Sequence, residues 1–394
     1  MENNKIRNTI AYYLFFVILG FSLGIAGPVL PSLAEQVGST LGETGALFFF
    51  TAAGGIVGTA LSGRVFDRVQ RGHFFLGGVL LFAAILFTII PFVRRLPVLL
   101  LIVFLGGVPN GVINNGANTL LMWTHGKKAG PYINGLHFAF GLGAFLAPTL
   151  YAQILNLGGT YQHAYWLLAV LSLPVALYVI LLPNTPQPER RSVREEGSKA
   201  YLRQVFPLVV TAMLFLFFYV GAELAYANWL YTYTLLQGLG DKTQAAYLTS
   251  GFWLSFTVGR AISVPVAARF APASILTIAF LGGLAILGAM LMLPVSLPLL
   301  WFASVGLGFF MAPIWATGYN LAGQAIGITA TISSIILLGD SVGGMLLPWL
   351  VGRVIDGFGA DTMPWLVFAS FAANAFIFGM MLFQRKKYET MNYR

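Results

Sequence analysis

GRVFDRVQR, residues 63–71, sets four charged side chains, Arg64, Asp67, Arg68 and Arg71, between two runs that carry almost none, 43–63 and 73–92. Each run is about 20 residues, the length an α-helix needs to cross the hydrocarbon core of a bilayer. A helix is the form such a run takes there, because it satisfies its own backbone hydrogen bonds without water. The nonapeptide therefore reads as a short polar turn at a membrane surface, joining two spans. Its three arginines mark that surface as the cytoplasmic one.

The alternation continues outward in both directions. Apolar runs at 10–33, 43–63, 73–92, 96–121, 130–153, 163–182, 205–235, 244–263, 272–293, 297–320, 326–352 and 363–383 predict twelve transmembrane helices, an all-α polytopic membrane protein. The chain is 58% hydrophobic and 9% charged, against roughly 25% charged in a soluble domain, which excludes a soluble enzyme. Alternating segments of about 10 residues, the mark of a membrane β-barrel, are missing. The first run reads as a retained span, since no small-residue cleavage site closes it. With no cysteine in the chain, disulfides and thiolate chemistry are excluded.

With these spans, the tails and loops on one side hold eighteen Lys and Arg, Arg260 and Arg269 among them, while the other side holds Arg94, Arg95, Lys242 and Arg353. That bias predicts both termini in the cytoplasm, with a bacterial cytoplasmic (inner) membrane as the expected location. The net charge of +9 is then a matter of topology and of contact with anionic membrane lipid, not of nucleic acid. The longest polar stretch, Pro183 to Arg203, separates six spans from six. The expected organisation is an N-terminal bundle at 1–185, a cytoplasmic linker at 186–204 and a C-terminal bundle at 205–394. The halves resemble each other at an offset of about 200 residues. FGLGAFLAPTLYAQ from Phe140 aligns with DSVGGMLLPWLVGR from Asp340, matching Gly143 to Gly343 and Pro148 to Pro348, and Gly63–Arg64 matches Gly259–Arg260. Two parallel six-helix repeats about an axis along the membrane normal are a plan used by carriers.

In that setting GRVFDRVQR resembles the cytoplasmic signature G-x-x-x-D-R-x-x-R of the major facilitator superfamily, matched by Gly63, Asp67, Arg68 and Arg71. The glycine is expected to permit close helix approach. The carboxylate and arginines would form charge-assisted bonds between helix ends that break when the halves rock. By the resemblance, this network steadies the outward-facing state. Its counterpart GRAISVPVAAR keeps Gly259, Arg260 and Arg269 but lacks the aspartate, predicting a weaker lock. GIAGPVLPSLAEQVGST from Gly24, NNGANTLLMW from Asn114, the FGLGA stretch and YVGAELAYANWLYTY from Tyr219 resemble the branch that holds bacterial fucose, glucose and galactose proton symporters and an animal sodium-dependent glucose transporter. The carboxylates that fucose carriers have in their first and fourth helices are absent here, which leans toward the sodium-dependent members.

Glu223 is the only charge between Val205 and Leu236. A charge at mid-bilayer costs about 3 kcal/mol on the mildest scales, so this carboxylate must be protonated, paired or reached by water. Tyr219, Glu223, Tyr226 and Leu230 share one helix face, with Asn228 and Trp229 beside it. Such a carboxylate can accept sugar hydroxyls, hold sodium as a hard oxygen ligand or take up a proton. No intramembrane cation is apparent to pair it. Asp340 is the other deep carboxylate, expected opposite Asn320 or Gln324. The fourth span offers Asn114, Asn115 and Asn118, amides that both donate and accept and so suit a polyol. Helix-to-helix hydrogen bonding is their competing use. Asn134 and His137 lie one turn apart in the fifth span. Trp315 and Tyr319, like Trp229 and Tyr233, are spaced to present aromatic faces to a sugar's C–H surface. Pro109 and Pro313 are predicted to interrupt the fourth and tenth spans at corresponding positions.

These readings predict a secondary transporter that binds a small neutral sugar in a central cavity and is driven by sodium or protons. Glu223 and Asp340 would couple ion to sugar, Glu223 being the sodium ligand if sodium is the ion. The amides, His137, Tyr226, Asn228, Trp229, Trp315 and Asn320 are the candidate sugar contacts. No cofactor, nucleic acid or obligate protein partner is expected, and no nucleotide-binding or paired-histidine metal motif is present. A proton-driven exporter of amphipathic drugs or lipids and a non-transporting sugar sensor are the alternatives.

Overall fold

The computed structural model describes residues 2–66, 71–183, 199–326 and 330–392. Nearly all of them are helical. The long helices are α1 (Glu2–Val37), α3 (Ala46–Phe66), α4 (Gly72–Ile89), α5 (Leu96–His125), α6 (Ala129–Asn156), α7 (Tyr161–Ile180), α8 (Lys199–Leu236), α9 (Lys242–Ala267), α10 (Pro272–Met292), α11 (Leu297–Met311), α12 (Ile314–Ile326), α13 (Ala330–Phe358) and α14 (Thr362–Asn392). The four-residue α2 (Leu41–Thr44) starts on a capping box, in which the Thr40 hydroxyl accepts from the Glu43 amide and the Glu43 carboxylate from the Thr40 amide.

Among the described residues, eleven segments are long and apolar enough to cross a membrane, α11 and α12 counting as one. The eighth predicted span, α9, falls short on composition, with Gln244, Thr249, Ser250, Ser255, Thr257, Arg260 and Ser263 along its length. Pro313 separates α11 from α12 as expected, but α5 passes through Pro109 unbroken, so the predicted pair of interruptions is realised only once.

The chain forms two compact units, Met1–Arg190 with Leu230–Leu254, and Arg191–Trp229 with Ser255–Arg394. In the first, α1 packs along α6, α3 along α5 and α4 along α7; in the second, α10 packs against α11, α12 and α14, and α13 against α14. The predicted repeat reappears as one contact made twice. A Cβ on Gly143 would lie 2.0 Å from the Val17 carbonyl oxygen, and one on Gly343 would lie 2.0 Å from that of Phe217. Val17 and Phe217 stand at the same offset as the two glycines, so in each half a helix backbone rests on a glycine of a later one.

Within the first unit, α6 and the start of α9 run antiparallel and are joined by uncharged polar side chains. Thr149 Oγ1 donates to Ser250 Oγ at 3.0 Å, the Gln153 amide donates to the Tyr247 hydroxyl, and Thr243 Oγ1 donates to Asn156 Oδ1 at 3.1 Å. Further along the same pair, the Phe140 and Trp253 rings meet edge to face. The turn into α9 begins at Gly238, whose φ of 64° favours a residue without a Cβ.

Candidate functional site

α8 carries Tyr219 and Glu223 one turn apart, both buried, with Glu223 only 8% exposed. The Tyr219 hydroxyl donates to the Met311 carbonyl at 2.8 Å. That carbonyl ends α11, where helix oxygens lose their in-helix donors. The same hydroxyl also hydrogen-bonds Glu223. A phenol has one proton to give, so it can serve the carbonyl or an ionised Glu223, and not both at once.

Asp340, on α13, accepts a hydrogen bond from the Trp315 indole Nε1 at 2.8 Å. The Trp315 ring is stacked on Tyr319, with centroids 5.5 Å apart and planes 13° apart. The Tyr319 hydroxyl reaches Ser333 Oγ at 2.9 Å. Trp315 and Tyr319 stand one turn apart on α12, and Ser333 and Asp340 two turns apart on α13, so two facing stripes are stitched at both ends. The expected neighbours of Asp340, Asn320 and Gln324, are exposed, and Trp315 takes their place.

Arg260 overturns two expectations. Counted as a loop residue, it lies two turns inside α9, and it acts electrostatically on both Glu223 and Asp340. The cation that Glu223 lacked in the sequence reading is therefore present. Its guanidinium rests over the Phe256 ring, 4.7 Å from the centroid, an arrangement that stabilises a poorly hydrated cation. Beside it, Gly259 lets α9 approach the α11–α12 break: a Cβ there would lie 2.8 Å from Ala312 Cβ and 3.1 Å from the Phe309 carbonyl oxygen. Among the described residues, a Cβ at Gly63 would meet nothing within 4 Å, so the expected close approach is not seen there. Asp67 and Arg68 lie outside the described residues, and Arg71 is exposed just before α4.

Two predicted sugar contacts are fully enclosed instead. The Trp229 indole donates to the Pro348 carbonyl at 2.8 Å, and the Tyr226 hydroxyl lies 3.4 Å from Ser304 Oγ. Both tie α8 to its neighbours. Asn228 is half-buried on α8.

In the first unit, Asn115 donates to Ser62 Oγ at 2.7 Å, the helix-to-helix use of an amide. The Asn118 amide donates to the Asn114 carbonyl at 2.9 Å and approaches its side-chain oxygen at 3.3 Å. Asn114 and Asn134 are exposed, and His137 presents its ring edge-on to Phe16 at 6.0 Å. Sequence reasoning passed over three histidines, His73, His125 and His163. His73 Nε2 pairs with the buried Tyr12 hydroxyl at 2.7 Å, and His125 stacks on Tyr132 at 3.5 Å while its Nε2 lies 2.7 Å from Thr9 Oγ1. Only an apolar surround marked His73 in the sequence, and many core histidines share that.

The pattern of the Major Facilitator Superfamily matches residues 12–348. Sodium-dependent glucose transporter 1A of Mus musculus is 26% identical over 375 residues, covering 86% of this chain and 88% of that protein. Sodium-dependent glucose transporter 1 of Homo sapiens is 25% identical over 397 residues, covering 91% and 75%. Major facilitator superfamily domain-containing protein 4A of Homo sapiens is 23% identical over 474 residues, covering 96% and 90%. Among solved structures, a bacterial homologue of the human lysosomal transporter Spinster, inward-facing and unoccupied, gives a TM-score of 0.78 at 14% identity, covering 99% of this chain and 98% of that one. The nucleoside transporter NupG gives 0.76 at 15% identity, covering 96% and 99%. At such identities the structural likeness is one of fold.

Proposed function

Since this chain belongs to the Major Facilitator Superfamily, and is a multi-pass membrane transporter rather than an enzyme, we propose that it carries a small neutral sugar by alternating access, driven by a sodium or proton gradient. The observation that carries the coupling is the charge set of the second unit, in which Glu223 and Asp340 stand in the field of one guanidinium, Arg260. With both carboxylates ionised, one cation leaves a single negative charge, which a co-transported ion can neutralise. The Tyr219 hydroxyl, shared between Met311 and Glu223, gives Glu223 a partner that can follow its charge.

The sugar assignment rests on Asn114, Asn118 and Asn134 and on the half-buried Trp315–Tyr319 stack, and it is supported by the names of the glucose-transporter relatives. Those names also favour sodium over protons. The halves 1–185 and 205–394 would be the moving parts, with both termini in the cytoplasm of a bacterium and the carrier in its inner membrane.

Reconstituted into liposomes under imposed sodium or proton gradients, the protein is expected to accumulate radiolabelled glucose, galactose or fucose. Glu223→Gln is expected to abolish accumulation while sugar exchange at equilibrium survives. Unchanged accumulation in the variant would remove Glu223 from coupling, and no flux of any of the three sugars would bring an exporter of amphipathic compounds forward.

A further inference from the structure

Asp340 and the aromatic stack are joined by one bond. The Trp315 indole has a single N–H and no acceptor, and that N–H is spent on Asp340 Oδ1. A charged carboxylate holds such a donor more tightly than a neutralised one does. An ion seated on Asp340 competes for the same lone pairs, so loading the carboxylate loosens the indole.

What the indole holds is the half-buried pair with Tyr319, tethered at its far end by Ser333. The pair sits on α12, thirteen residues that begin just after the break at Pro313, so the segment can shift without bending an intact helical ladder. The charged groups acting with Asp340 are Arg260 and Glu223, while the bond that joins Asp340 to the rings is the one from the Trp315 N–H. We propose that the Trp315 N–H is the positioning element that reports ion occupancy at Asp340 to an aromatic sugar platform formed by Trp315 and Tyr319. This deepens the reading of the chain as an ion-coupled sugar carrier and rests on it.

The test measures binding of radiolabelled glucose, galactose and fucose to the full-length protein in detergent, as sodium is raised at fixed pH and as pH is lowered without sodium. In the unmutated protein one of the two titrations is expected to tighten binding of a sugar by about fivefold or more, the usual lower range of coupling between sites. Trp315→Phe keeps a ring for stacking and loses the N–H. Because the ring belongs to the platform, sugar affinity itself is expected to fall with or without ion, and the deciding readout is the ratio between the two, which is expected to drop below about twofold. An ion effect of unmutated size in Trp315→Phe overturns the link and leaves the carrier reading standing. Sugar binding that ignores both ions, or no binding, in the unmutated protein overturns the carrier reading and this inference together. Should Trp315→Phe fail to fold, 3-benzothienylalanine placed at 315 keeps the bicyclic ring without the N–H, and the same results decide the matter.

Discussion

Removing a charge has opposite consequences for a group that is balanced and for one that is not. Arg260 faces two carboxylates, so Arg260→Gln leaves both uncompensated and is expected to lower the thermal midpoint of the purified protein. Adding Glu223→Gln to the same chain removes one of those charges and is expected to recover part of the loss; additive losses would show that the three groups do not act as one set. The amides divide in the same way. Asn115→Ala deletes the donor to Ser62 and is expected to cost about 1 kcal/mol of stability, read by thermal unfolding, with sugar affinity unchanged. Asn118→Ala is expected to weaken sugar binding by roughly 1 to 3 kcal/mol, and retained affinity would make Asn118 structural too. Glu223 was legible in the sequence because an isolated charge in a long apolar run has few innocent explanations. Trp229 was not, because spacing reports which face a ring occupies and says nothing of the carbonyl its N–H has found.

At the level of helices, the pattern of apolar runs was enough to find every long element, since a span must be both long and dry. It could not find where α9 ends. Ending the span at 263 left Arg260 in its last turn, where it was counted with the loop charges, whereas the helix runs on to Ala267 and holds Arg260 two turns inside. Proline was equally ambiguous. The break at Pro313 is supported by Tyr219, whose hydroxyl caps the Met311 carbonyl, and nothing near Pro109 in the sequence says whether such a donor exists there. Glycines sort by what faces them. Gly143→Ala and Gly343→Ala drive a methyl into a neighbouring backbone and are each expected to cost on the order of 1 to 3 kcal/mol or prevent folding. Gly63→Ala meets open space inside a helix and is expected to be neutral or to raise the thermal midpoint slightly.

For the molecule as a whole, the ladder from Thr149–Ser250 through Gln153–Tyr247 to Asn156–Thr243 joins a helix of the first sequence half to one of the second without any charge. Hydroxyl and amide contacts of this kind are individually weak and can be exchanged for water, so the ladder is able to part if the proposed alternating access moves α6 against the start of α9. The chain has no cysteine, so a pair placed at 156 and 243 is the only thiol pair a short bifunctional reagent can join. Cross-linking Asn156→Cys with Thr243→Cys is expected to stop net sugar flux, and cleaving the linker to restore it; transport that continues while linked would show that the seam stays shut throughout the cycle.

The composition of α9 bears finally on how the chain is made. A helix with a row of hydroxyls, an amide and an arginine gains too little from lipid to leave the translocon sideways by itself. Its predecessor α8 is among the longest apolar segments of the chain and its successor α10 is almost purely aliphatic. α9 is therefore expected to enter the membrane as a passenger between two strong anchors, and a nascent chain cut before α10 is expected to leave it on the surface.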